Sequence, residues 1–186
     1  MVDELAPEVV GRVFVAAPLP PEVRFALAER VAELAIPGKV GPPENWHVTL
    51  RFLDVVDRVT YERFLSELER VREQFSFPVA LDGFGAFPKP RKATVFWAGI
   101  GRGTTDISLL NEIAEDAAIS AGLSPEERPF HPHLTLARIR PPADVRDLVE
   151  EDLDLGWRCD RVVVYRSHLG RGPARYEPLD SVNLIG

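Results

Sequence analysis

Cysteine and methionine are nearly absent: Cys159 and Met1 are the only ones in 186 residues. A lone thiol forms no intrachain disulfide and suits a reducing compartment. Long apolar runs are missing too. None approaches the roughly 20 residues that span a bilayer, so no membrane partner is expected. Basic residues are outnumbered, 22 against 29 acids, for a formal net charge of −7. That balance argues against a protein that coats nucleic acid non-specifically, but it leaves room for a local basic cleft. No low-complexity stretch or linker divides the chain. The N-terminal MVDELAPEVVGR is acidic and proline-interrupted, unlike a signal or transit segment, so residues 1–11 are expected to be a loose leader and the protein cytoplasmic. Apolar residues make up 45% and charged residues 27%, enough for one domain or two small lobes sharing a core.

Histidine is also scarce, with four in the chain, yet two of them occur in one repeated pattern. WHVTLRFLD carries His47, Thr49 and Leu50, and FHPHLTLAR carries His133, Thr135 and Leu136. In a strand, side chains two apart share a face. Each copy therefore offers an imidazole beside a hydroxyl, while Val48 and Leu50, or Leu134 and Leu136, point into a core. One His-x-Thr-Leu arises by chance in about one chain in fifty, and two in about one in several thousand.

Around these motifs the patterning predicts alternating strands and helices. Residues 12–17 read as a buried strand, 22–34 as a helix with Val23, Leu27, Val31 and Leu34 inward, and 37–45 as a loop. The first motif strand covers 46–53, and an amphipathic helix covers 59–75. Strands at 77–87 and 93–100 flank the turn PKPRK. A helix capped by Thr104 or Thr105 runs to about Ala121, and the second motif strand follows. A short helix over 143–153 and strands at 157–169 and 175–184, bridged by GRGPA, complete the chain. The motif strands lie about half a chain apart. The expectation is an α+β fold with two pseudo-symmetric lobes of largely antiparallel sheet, outer helices and a central cleft.

If the motif strands face each other across that cleft, two imidazoles and two hydroxyls converge. A reference pKa near 6.5 lets one ring be neutral while the other is protonated, so one removes a proton as the other donates one. The hydroxyls can hydrogen-bond oxygens that bear developing charge. This set suits metal-free hydrolysis of a phosphodiester. Each acid or base contributes about 10²–10⁴-fold, most useful on an already strained ester such as a cyclic phosphate.

The two motifs resemble the signatures of the two-histidine phosphoesterases. More narrowly, the chain resembles the bacterial and archaeal RNA 2′,3′-cyclic phosphodiesterases, also called 2′-5′ RNA ligases. The resemblance extends through RVFVAAPLP, PENWHVTLRFL, GFGAFPKPR, VFWAGI and YRSHLGRGPARYEPL. It implies a bilobal fold and hydrolysis of a terminal 2′,3′-cyclic phosphate to a 2′-phosphate, with a weak reverse joining of ends. By position, His47 is the implied proton donor to the leaving 3′ oxygen and His133 the implied acceptor that activates water. Thr49 and Thr135 are the implied phosphate ligands. No cofactor or metal is implied. The partners are RNA 3′ ends or oligonucleotides bearing a cyclic phosphate, acted on by a monomer. The family often carries glycine after FL in the first motif; here Asp54 stands there, a residue that also tolerates turns.

Further candidates are less specific. Arg51 is expected on the same strand face as His47 and Thr49. Arg138 has the opposite parity to His133 and needs a bulge or a strand end to reach the cleft, although the family motif often has arginine there. Arg91 belongs to a basic stretch with Lys89, Lys92 and Arg102, and residues 161–175 carry four arginines and His168 without an acid. Phe14 and Phe130 are candidates to line a nucleotide pocket. His131, two residues before His133, raises a metal-phosphatase alternative, against which no acidic or cysteine ligands lie nearby in sequence. Cys159 reads as a core residue. Other readings keep the chemistry but change the substrate, to 2′-5′ oligoadenylate or a small nucleotide cyclic phosphate, or make the chain a non-catalytic RNA-end-binding module.

Overall fold

The structure is a computed structural model that describes residues 8–186. Nine strands form one antiparallel sheet in the order β7-β4-β5-β6-β3-β1-β8-β9, with β2 added to β6. The strands are β1 Val9–Pro18, β2 Lys39–Val40, β3 His47–Asp57, β4 Phe77–Phe87, β5 Ala93–Ile100, β6 His133–Ala143, β7 Asp154–Cys159, β8 Arg161–His168 and β9 Arg175–Asn183. The helices are α1 Pro21–Glu33, α2 Arg58–Leu68, α3 Thr104–Ser120 and the single turn α4 Arg146–Val149. None of the described helices is long and apolar enough to cross a membrane.

The sheet falls into two halves that meet at one place. β3 and β6 are joined by a single residue pair, Val48 opposite Leu134. On one side lie β3, β1, β8 and β9; on the other lie β6, β5, β4 and β7. In each half the inner strand carries a motif, and the strand beside it is reached through a helix: β1-α1-β3 and β5-α3-β6. This is the expected pseudo-symmetry. Beyond the shared pair, β3 leaves β6. The vacated edge of β6 is taken by β2, with Lys39 opposite Arg138 and Val40 opposite Ala137. A wedge opens between the halves.

One hydrophobic core runs under both halves. Val48 and Leu50 from β3, and Leu134 and Leu136 from β6, point into it as the alternation predicts. α2 and α3 cover this face, with Tyr61, Phe64 and Leu68 of α2 and Ile107, Leu110 and Ala114 of α3 buried. Asp57 caps α2 by accepting a hydrogen bond from the Thr60 N–H at 2.8 Å.

Several boundaries differ from expectation. β1 begins at Val9, paired with Asp57, so the end of the expected leader lies in the sheet; residues 1–7 lie outside the described residues. The cap of α3 is Gly103 at φ 86°, not a threonine, and the Thr104 hydroxyl instead donates to the Ile100 and Gly101 carbonyls. The expected 59–75 helix ends at Leu68 and continues as a 3-10 turn. The expected helix over 143–153 shrinks to α4, because β6 runs on through Pro141 and Pro142 to Ala143. The expected single strand over 157–169 is two strands. The chain crosses at Asp160 from β7, at the far edge of one half, to β8 in the other.

Asp54, at the position where the resemblance led us to expect glycine, adopts φ 57°. This left-handed conformation is open to glycine without cost, tolerable for aspartate and unfavourable for branched residues. Its ion pair with Arg12 at 3.8 Å is exposed and contributes little. Asp54→Gly should therefore leave stability within about 1 kcal/mol, whereas Asp54→Val should lower it by about 1–2 kcal/mol. Urea denaturation of the three proteins checks this, and equal midpoints for Gly and Val would contradict it.

Candidate active site

The single β3–β6 pair sets the geometry. Because the strands run antiparallel about Val48 and Leu134, His47 comes across from Thr135 and Thr49 across from His133. The two imidazole–hydroxyl pairs are thus related by a local two-fold axis, on the face away from the helices. They line a cavity of about 290 Å³, together with Lys39, Trp46, Phe52, Arg138 and Tyr176. No carboxylate among the described residues lines it.

Each histidine stands on an aromatic floor from its own half. The His47 ring stacks on Phe14 at 4.9 Å and 27°, and meets the edge of Tyr176 at 5.4 Å. His133 meets Phe87 at 5.1 Å and 90°, and Trp97 lies 6.0 Å away. Trp97 can lie flat there because its strand neighbour is Gly85. A Cβ at Gly85 would stand 2.1 Å from the indole.

Both rings are held by a backbone hydrogen bond to the residue two before. The His133 Nδ1 bonds the His131 carbonyl at 2.6 Å, and His47 bonds the backbone of Asn45. This leaves the Nε2 atoms to the cleft, and at His47 that atom lies 2.9 Å from the Thr49 hydroxyl. Burial lowers the pKa of both imidazoles, that of His47 to about 4, and a charge on His133 disfavours one on His47. Burial therefore favours the neutral form of both rings in the free protein. Being mutually repulsive when charged, they are suited to share one proton.

The arginines sort by two β-bulges. Along β3, Thr49 pairs with Ala16 and Arg51 with Val15, so Leu50 is the extra residue. Along β6, Thr135 pairs with Trp97 and Ala137 with Phe96, so Leu136 is the extra residue. Each bulge shifts parity by one directly after the threonine. Arg138 is thereby turned onto the cleft face, meeting the condition its sequence position imposed. Arg51 is turned off it. The expectation that Arg51 shares the face of His47 is incorrect: its guanidinium pairs with Glu115 of α3 and donates to the Ser124 carbonyl at 2.6 Å. The cleft position falls instead to Phe52, which is 54% exposed and is the counterpart of Arg138 in the other motif.

Three more expectations change. Phe14 does not line the cavity; at 1% exposure it lies behind the His47 ring. Phe130 is half-buried against the core, away from the cavity lining. Arg91 sits on the 3-10 turn between β4 and β5, exposed and outside the cleft. His131 packs 5.1 Å from Trp97, and no three His, Cys, Asp or Glu cluster to hold a metal among the described residues. Cys159 is buried, and burial pushes its thiol up to about 12, which makes it a poor nucleophile. His168 ends β8 and bonds Glu177 at 2.6 Å.

Sequence reasoning missed Lys39, Phe52 and Tyr176. Phe52 had a readable signal, since it holds the place in WHVTLRF that Arg138 holds in HLTLAR. Lys39 and Tyr176 arrive from the β2 segment and the β8–β9 hairpin. Those two segments are tied by Asn45, which donates to the Ala174 carbonyl at 2.6 Å.

Comparison with known proteins identifies the family. A family model described as the 2′-5′ RNA ligase superfamily matches residues 14–171. The chain belongs to that superfamily. It is 35% identical over 130 residues to the RNA 2′,3′-cyclic phosphodiesterase of Aeropyrum pernix, covering 70% of this chain and 73% of that one. It is 30% identical over 171 residues to the Escherichia coli protein of the same name, covering 90% and 93%. A crystal structure of E. coli LigT complexed with 3′-AMP superposes with a TM-score of 0.82 at 27% identity, covering 97% of this chain and all of that one. The curled antiparallel sheet with outer helices is the phosphoesterase fold of those proteins.

The buried imidazoles have a consequence for stability. The folded value of His47, about 4, lies below the unfolded value near 6.5. As pH falls through that window the unfolded chain binds a proton that folded His47 refuses, so stability is lost toward acid. The wild type should lose melting temperature between about pH 7 and pH 4.5, and His47→Asn should lose less. An equal loss in both would assign the acid sensitivity to other groups.

Proposed function

We propose that this protein hydrolyses RNA terminal 2′,3′-cyclic phosphate to a 2′-phosphate, using paired imidazoles and no metal. The carrying observation is the meeting of two His-x-Thr pairs about Val48 and Leu134, in one cavity without carboxylates. Membership of the superfamily and the names of its relatives support the same substrate class. His47 protonates the departing 3′ oxygen as the P–O3′ bond breaks. His133 takes a proton from the water that forms the new P–O bond. Thr49 and Thr135 donate hydrogen bonds to the non-bridging oxygens, and Arg138 and Lys39 offset the phosphate charge. With a 5′-hydroxyl end in place of the water, the same groups would form a 2′-5′ linkage: its oxygen attacks phosphorus, gives its proton to His133, and O3′ again departs with a proton from His47. The reading needs one chain and an RNA 3′ end.

The depressed histidine values define the resting state. In the free protein burial favours the neutral form of both rings. A phosphate anion between the rings favours the charged form, so the substrate raises the pKa of the acid it needs. The proton comes with binding. In kcat/KM, which reports the free enzyme, the basic limb should lie at lower pH than in kcat, which reports the complex.

The deciding assay offers an oligonucleotide ending in 2′,3′-cyclic phosphate, with excess chelator. Product carrying a 2′-phosphate is expected, at a rate the chelator does not change. Loss of turnover with chelator would favour a metal phosphatase, and binding without turnover would favour an RNA-end-binding module. His47→Ala and His133→Ala should each lower turnover by at least about 10²-fold without unfolding the protein. A variant with near-full rate would remove that residue from the mechanism. A matched assay on 2′-5′ oligoadenylate separates the substrate alternatives.

A further inference from the structure

A second cavity, of about 660 Å³, lies on the outer half of the same sheet. Its walls include Pro18 at the end of β1, Arg24 of α1, Arg161, Val163 and Tyr165 of β8, and Pro178 and Ser181 of β9. It adjoins the catalytic cavity. The Tyr165 ring stacks on Phe14 at 5.3 Å and lies 6.1 Å from the His47 ring, so one aromatic ridge separates the two spaces.

The chemistry of the second cavity is that of a nucleotide site. Arg24, Arg161 and Tyr165 all line it, which brings two guanidinium groups and a phenol to one space. Arg24 donates to the Leu19 carbonyl at 3.0 Å, its Nε is buried without a partner, and no carboxylate pairs with it among the described residues. Arg161 has an exposed pairing to Asp160 at 3.1 Å, which an incoming phosphate can replace. The one carboxylate on the wall, Asp180, already accepts from the Tyr61 hydroxyl at 2.5 Å. Two guanidinium groups and a phenol suit a phosphodiester, and the tyrosine ring, prolines and Val163 beside them suit the face of a base.

We propose that this cavity is a second nucleotide subsite, which takes the penultimate nucleotide of the same RNA strand, the one 5′ to the nucleoside that carries the reacting phosphate. The proposal rests on the reading of the catalytic cavity as a phosphodiesterase site. It makes the protein an enzyme of RNA ends rather than of cyclic mononucleotides. A mononucleotide fills only the catalytic cavity, whereas a longer strand passes over the Tyr165 ring and gains the contacts of Arg24 and Arg161.

Steady-state kinetics on a nucleoside 2′,3′-cyclic monophosphate and on a tetranucleotide ending in the same group test this. The wild type should favour the tetranucleotide in kcat/KM by about tenfold or more, mainly through KM. Arg24→Gln and Arg161→Ala should each remove most of that advantage and leave kinetics on the mononucleotide within about twofold. Arg161→Ala alters an exposed side chain, so it decides the matter if Arg24→Gln disturbs the fold. The subsite is overturned if the wild type hydrolyses both substrates equally, or if Arg161→Ala changes both or neither. Hydrolysis of the mononucleotide alone keeps the catalytic reading and discards the subsite. If the wild type turns over neither substrate, the catalytic reading fails and takes the subsite with it.

Discussion

Val48 and Leu134 are the one point at which the two halves of the sheet are hydrogen-bonded across their inner edges. Both side chains are fully buried, so the core fixes them with the helices on one side and the cleft on the other. Strand alternation then leaves the residues on either side of them no choice but to face the cleft, and antiparallel direction sets each histidine against the other motif's threonine. More pairs would close the wedge, and none would let the motifs drift apart. The loss of pairing beyond this point is compensated because β2 occupies the free edge of β6 and returns the Leu136 carbonyl a hydrogen bond from Gly41 at 2.8 Å.

The bulges at Leu50 and Leu136 perform a second task. An unbroken strand would put Arg51 and Ala137 toward the cleft, and Phe52 and Arg138 toward the helices. Shifting the parity buries Ala137 and delivers Arg51 to Glu115 of α3. It leaves an unequal pair, Phe52 and Arg138, at symmetry-related places in the cavity. One lip is apolar and the other cationic. A two-fold framework can in this way receive a nucleotide, which has no two-fold symmetry: a base toward the phenyl ring and a phosphate toward the guanidinium.

What could be read from the sequence follows from which features are periodic. His47, Thr49, His133 and Thr135 were legible because a spacing of two fixes a shared face whatever the surroundings. The inward residues Val23, Leu27 and Val31 of α1 were legible by the same logic at helical spacing. Arg51 was misread because a bulge leaves no mark in local composition, yet for Arg138 the need for one could be stated from parity. Phe14 and Phe130 failed for another reason, since an aromatic residue near a site packs as readily behind it as within it. Lys39 and Tyr176 were beyond reach, being brought to the cleft by topology. Residue 160 shows the same limit: two strands lying in opposite halves of the sheet read as one run, because β-rich composition continues across the crossing.

Charge distribution reconciles an acidic protein with an anionic substrate. The chain carries a formal net charge of −7, but many of its acids are spent on surface arginines: Glu8 on Arg58, Glu33 and Glu151 on Arg30, and Asp144 on Arg146. None of these carboxylates lines either cavity. The interior of the cleft is thus free of fixed negative charge, while the exterior repels nucleic acid in bulk. On the proposed function, such a surface would disfavour binding along the body of a strand and leave its end as the preferred point of contact. On the proposed reaction the cyclic monoanion becomes a phosphomonoester bearing up to one more negative charge. Lys39 and Arg138 then hold product more strongly than substrate, and the surrounding acidic surface opposes them by favouring its departure.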